Sequence, residues 1–147
     1  GGDLFAFWQQ NMKAFIQIND LDARSSQALA ELPKVQALHV MGLVGRENSF
    51  VIRGVRNTSA AVMQRIQKAQ GANHANAEPF GQLSKILEDF IGVNSFDDRG
   101  AEVLRTLSPD ALLQVMGFTA ENAFVINGVR NPSAALMARI TAAQRRS

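Results

Sequence analysis

The sequence predicts an all-α protein built from two tandem pseudo-symmetric units of about four short helices each. Three observations predict it. Residues 50–66 read FVIRGVRNTSAAVMQRI and residues 124–140 read FVINGVRNPSAALMARI, differing only at 53/127, 58/132, 62/136 and 64/138. The likeness continues upstream at a constant offset, so that Phe5, Met12, Phe15, Ile16, Asn19, Asp22 and Arg24 meet Phe80, Leu87, Phe90, Ile91, Asn94, Asp97 and Arg99. Apolar residues within each copy recur at helical spacing, not at the alternation of strands. The duplication divides the chain into a first repeat at 1–72, a small polar linker at 73–78 and a second repeat at 79–147. Units of that size sit near the lower limit for an independent core, so the repeats are expected to pack on each other or on a partner.

The first helix of each repeat carries its stripe on Phe5, Trp8, Met12, Phe15 and Ile16, with equivalents from Phe80 to Ile91. Phe7, Ala14 and Ile18 widen the apolar arc in the first copy only, where the second has Gln82, Asp89 and Val93. That arc makes Phe7, Trp8 and Ile18 candidates for a protein interface. Asp20 and Ser95 are the expected N-caps of second helices near 21–32 and 96–107. Pro33 and Pro109 open the third helices, Ser108-Pro109 being a favourable N-cap and N1 pair, and Gly42 and Gly117 suit the left-handed position just past their ends.

Residues 43–56 and 118–130 lack helical periodicity, and the second copy is one residue shorter there, as a loop permits. Phe50-Val51-Ile52 and Phe124-Val125-Ile126 are expected as an extended piece or an irregular turn, broken by Gly54 and Gly128. Asn57 and Asn131 then cap the fourth helices, with Thr58 and Pro132 at the first helical position. Ala60, Met63 and Ile66, with Ala134, Met137 and Ile140, form the expected inner stripe, and the valine of each GVR is assigned to the core.

Composition narrows the chemistry. No apolar run approaches a membrane span. The absence of cysteine removes disulfides, thiol nucleophiles and thiolate metal sites, and fits an intracellular reducing compartment or organelle interior. The leading Gly1-Gly2 suggests a processed start. Net charge is +2, distributed as 8 Lys/Arg against 5 Asp/Glu in residues 1–74 and 7 against 8 in 75–147, a balance that leaves the first half basic. Glu88-Asp89 and Asp97-Asp98 are read as solvated or capping acids, and His39 and His74 have no partner at ligand spacing. No phosphate loop is present, and neither catalysis nor a cofactor is expected.

What remains is GVRNxSAA. Glycine, asparagine and the small residues have structural duties, whereas Arg56 and Arg130 have none and stand beside a helix N-terminus, a favourable place for an anion. Arg46, Arg53, Arg65 and Lys68 extend that basic surface in the first repeat.

The run LDARSSQALAELPKVQALHVM followed by VRNTSAAVMQRIQKAQ resembles the N-terminal acidic domain of heterogeneous nuclear ribonucleoproteins Q and R, with Asn57-Thr58-Ser59-Ala60 and Asn131-Pro132-Ser133-Ala134 at its asparagine-x-serine-alanine helix start. The resemblance implies a compact helical domain contributing to RNA recognition and to protein contacts. This chain differs in having two tandem copies and no RNA-recognition motif. The expectation is a non-enzymatic RNA-binding, ribonucleoprotein-associated module; the alternative is an adaptor or accessory subunit of a multiprotein complex docking through apolar helix faces.

Overall fold

The structure, a computed structural model, describes residues 4–73 and 77–146; Gly1-Gly2, His74 and the middle of the 73–78 linker lie outside the described residues. The described residues form eight helices: α1 (Trp8–Ile18), α2 (Ala23–Ala30), α3 (Lys34–Val40), α4 (Thr58–Gln70), α5 (Leu83–Asn94), α6 (Asp98–Thr106), α7 (Pro109–Met116) and α8 (Pro132–Arg146). They contain no strand, only an isolated antiparallel bridge between Val44 and Pro79. The all-α class is as the sequence predicts.

The chain separates into two compact units, Phe15–Ile86 and Gly1–Ala14 with Leu87–Ser147. This division is not the repeat boundary. The unit Phe15–Ile86 takes in the beginning of α5, and the other unit takes in the beginning of α1. Local contacts explain why. Within Phe15–Ile86, Phe80 donates its N–H to Leu43 O at 2.8 Å and Gly45 donates to Glu78 O at 2.9 Å. Gln82 Nε2 donates to the carbonyl of Asn48. Within the other unit, Gln10 Nε2 donates to the carbonyl of Asn122. In each unit, the loop after the third helix of one repeat is bonded by residues leading into, or early in, the first helix of the other.

Inside Phe15–Ile86, Phe15, Leu29, Leu38, Met41, Phe50, Val62 and Ile66 fill the core, and the rings of Phe15 and Phe50 stand 5.5 Å apart. In the other unit Phe90, Leu104, Met116, Phe118, Phe124, Leu136 and Ile140 do so, with Phe90 5.1 Å from both Phe96 and Phe124.

Several local assignments change. Asp20 and Ser95 do not cap the second helices; they sit at φ 51° and 53° and end the first ones. The N–H groups of Asp20 and Leu21 return to Gln17 and Ile16, and those of Ser95 and Phe96 to Gly92 and Ile91, the two bonds of a left-handed helix stop. The caps are Asp22, accepting from Ser25 N–H at 2.8 Å, and Asp97, accepting from Gly100 N–H at 2.8 Å. Pro33 is itself the N-cap of α3, while Ser108 and Pro109 take the expected positions in α7. Gly42 and Gly117 are left-handed at φ 78° and 93°, and Asn57 and Asn131 cap α4 and α8 through Ala60 and Ala134 N–H.

The buried stripe of α4 is Ser59, Val62, Ile66 and Ala69, leaving Ala60 exposed and Met63 half-buried. In α8 it is Leu136, Ile140 and Ala143, with Ala134 exposed and Met137 half-buried. Asp89 is buried, not solvated.

Candidate interaction surface

The surface starts from a buried asparagine. Asn19 closes α1, and its Nδ2 donates to Phe15 O at 2.9 Å and Phe50 O at 3.0 Å while its Oδ1 accepts from Ile52 N–H at 2.8 Å. Asn94 makes the same three bonds to Phe90, Phe124 and Ile126 at 3.0, 3.0 and 2.7 Å. The Phe-Val-Ile segment is thus held by a side chain in place of a neighbouring strand, satisfying backbone groups that burial would otherwise leave costly.

From that anchor the chain turns outward. Gly54 and Gly128 adopt φ 76° and 75°, and a Cβ at either would meet open space, so glycine is there for its backbone conformation. Val55 and Val129 follow, each 47% exposed. This corrects their assignment to the core. Arg56 and Arg130 come next, exposed and without a hydrogen bond or ion pair among the described residues. The fourth helix then begins, tied to the second by a serine: Asp22 N–H donates to Ser59 Oγ at 2.9 Å, and Asp97 N–H to Ser133 Oγ at 3.1 Å. The serine of NxSAA is therefore a bonding group as well as a small one.

Beside each turn lies a groove. The first, of about 360 Å³, is lined by Asp22, Arg24, Asn57, Ala60, Met63 and Gln67, among others. Its counterpart, of about 270 Å³, is lined by Asp97, Arg99, Asn131, Ala134 and Met137. The Asp22 carboxyl lies below its ordinary range, chiefly because the Ser25 backbone N–H bonds its charged form, with nearby Arg24 adding a little.

The other predicted contacts fall elsewhere. Arg65 points inward, donating to Val40 O at 2.9 Å, Ser49 O at 2.7 Å and Ser49 Oγ at 3.2 Å. Arg139 does the same with Val115 O at 3.0 Å and Ala123 O at 2.7 Å. Burial pushes both guanidinium pKa values down. Arg65 serves the fold by bonding carbonyls that the loop leaves unpaired.

Arg46 forms an exposed two-nitrogen pair with Glu78 at 3.1 and 2.9 Å. Arg53 is exposed, and Lys68 is exposed and lines a separate pocket where His39 Nε2 meets Glu47 Oε2 at 2.9 Å. The Glu47 carboxyl is lowered by its own backbone N–H and then by His39. Phe7, Trp8 and Ile18 are half-buried, and no aromatic among the described residues is exposed.

Sequence reasoning missed Val55, Val129, Arg24, Arg99, Met63 and Met137 as surface elements. Their signal was identity between the repeats at positions that the core does not use. Among the described residues no group of three or more His, Asp or Glu could hold a metal ion, and no helix is long and apolar enough to cross a membrane. No family model, no curated protein and no solved structure matches the chain.

Proposed function

We propose that the chain is a non-enzymatic interaction module that holds a protein partner through two copies of one exposed surface, as an adaptor within a larger assembly. The observation that carries this reading is the paired exposure of Val55 and Val129, each beside an arginine with no ion pair among the described residues. Single exposed aliphatic residues are ordinary. Here the exposure falls at the same position of both repeats, on a turn fixed by a buried asparagine. An aliphatic side chain next to a guanidinium suits a protein surface, where the one buries area and the other pairs with a carboxylate.

A second reading, an RNA-binding and ribonucleoprotein-associated module, is favoured by Arg56 and Arg130, which pair with none of the described residues, and by the resemblance of the repeats to the acidic domain of heterogeneous nuclear ribonucleoproteins Q and R. It is weakened by the withdrawal of every described aromatic from full exposure, since bases bind single-strand readers largely by stacking.

Titration of a labelled single-stranded RNA pool at two salt concentrations separates the two. The adaptor reading predicts no retention even at low salt. Affinity that falls as salt rises, and weakens in Arg56→Ala/Arg130→Ala, would establish the RNA reading in its place.

A further inference from the structure

We infer that the groove between the N-terminal turns of α2 and α4, and its counterpart between α6 and α8, is a docking slot for an acidic amphipathic segment of a partner protein. The inference rests on the protein-interaction reading above and names the chemistry of the partner.

Three features point to that occupant. The first is the groove's apolar lining. Met63 and Met137, together with Ala60 and Ala134, line the two grooves and not the core. Methionine is unbranched and polarisable, and adapts to apolar side chains of varied shape.

The second is the charge left at the rim. The Asp22 carboxylate is engaged by the Ser25 backbone N–H at 2.8 Å and the Ser25 hydroxyl at 2.7 Å. The Asp97 carboxylate is engaged by the Gly100 N–H at 2.8 Å. The cations are less engaged: Arg24 and Arg99 line the grooves without a hydrogen bond or ion pair among the described residues, Arg24 acting on Asp22 only as a nearby charge, and Arg56 and Arg130 immediately precede the lining asparagines. A carboxylate-bearing segment complements them.

The third is recurrence. Asp, Arg, Asn, Ser, Ala and Met stand at equivalent positions of both grooves, and the Asp and Arg are kept although the residues around those two differ between repeats. A phosphodiester chain would use the arginines but neither the methionines nor the exposed valines.

The test uses the full chain labelled with nitrogen-15 and three probes: a short helical peptide of Leu and Glu, its Leu and Lys counterpart, and a mixed-sequence single-stranded RNA. The Leu/Glu peptide is expected to shift the amides of Arg24, Met63 and Gln67 and those of Arg99 and Met137. Arg24→Ala/Arg99→Ala, at exposed positions, should keep the fold and weaken that binding by about tenfold or more. Shifts confined to Val55-Arg56 and Val129-Arg130, with the grooves silent, would overturn the slot while leaving the protein-interaction reading in place. Equal binding of the Leu/Lys peptide, or no shift from either peptide, would overturn the acidic slot. Shifts from RNA alone would overturn both.

Discussion

Asn19 Nδ2 lies 3.0 Å from the carbonyl oxygen of Phe50, thirty-one residues away in the chain, and donates to it from a buried position. The same amide group accepts from Ile52 N–H, so one side chain supplies the pairing a neighbouring strand would give. Asn19→Ala would strand a buried carbonyl and a part-buried N–H together. Chemical denaturation should show a loss of about 2–4 kcal/mol, the cost of leaving such groups unpaired. Asn94→Ala should behave alike, through Phe124 and Ile126.

The two arginines of the first repeat's fourth-helix region predict opposite phenotypes. Arg65→Met keeps most of the apolar stem but loses bonds to two backbone carbonyls, and should cost roughly 2–4 kcal/mol. Arg56→Ala removes an exposed side chain that bonds nothing described, and should leave stability within about 0.5 kcal/mol. Thermal melts of both variants distinguish the arginine that holds the fold from the one available to a partner.

Glycine substitutions separate backbone strain from crowding. At Gly128 a Cβ would meet open space, so Gly128→Ala should cost only the left-handed backbone, about 1–2 kcal/mol. At Gly117 the Cβ would also run into the backbone carbonyl of Asn122. Gly117→Ala should therefore cost roughly 3–5 kcal/mol, read as a larger fall in the urea midpoint.

The compact units make a prediction about fragments. Fragment 15–86 keeps Glu78, Phe80 and Gln82 on the loop of residues 43–48, whereas fragment 1–72, of equal length, loses them. Circular dichroism should give a cooperative thermal transition for 15–86 and a shallower, lower one for 1–72. The reverse order would show that the leading half of α1 matters more to the first repeat than the start of α5.

Much of this was legible because it is local. Gly42, Gly117, Asn57, Asn131 and the Ser108-Pro109 pair announce helix ends through chemistry confined to one turn. Asp20 and Ser95 misled for the same reason: each is a good cap by type, yet two residues later stands another, Asp22 or Asp97, whose carboxylate takes the bond. The inner stripe of α4 slipped by one position because Ser59, though polar, is buried by its bond to Asp22 N–H, which places Ala60 and Met63 on the groove.

Long-range features were not legible. Nothing in the sequence of Arg65 distinguishes it from Arg56; only the fold shows that two carbonyls await the former. Gln10 and Gln82 are not equivalent in the repeat, yet both reach the loop asparagine of the opposite copy, Asn122 and Asn48. Of the candidate surface, Arg56 and Arg130 were read from the sequence and Arg24 and Arg99 were not, whereas the valines were assigned inward because aliphatic residues usually are.

The central claim is that one surface serves twice. Its most direct measurement is quantitative capture of protein partners from nuclease-treated extract by the wild-type chain, by Val55→Asp, by Val129→Asp and by the double variant, with folding of each verified by its melt. Each single variant should reduce the captured amount, and the double variant should bring it to bead background while the melts remain close to wild type. Wild-type capture by a folded double variant would contradict the account.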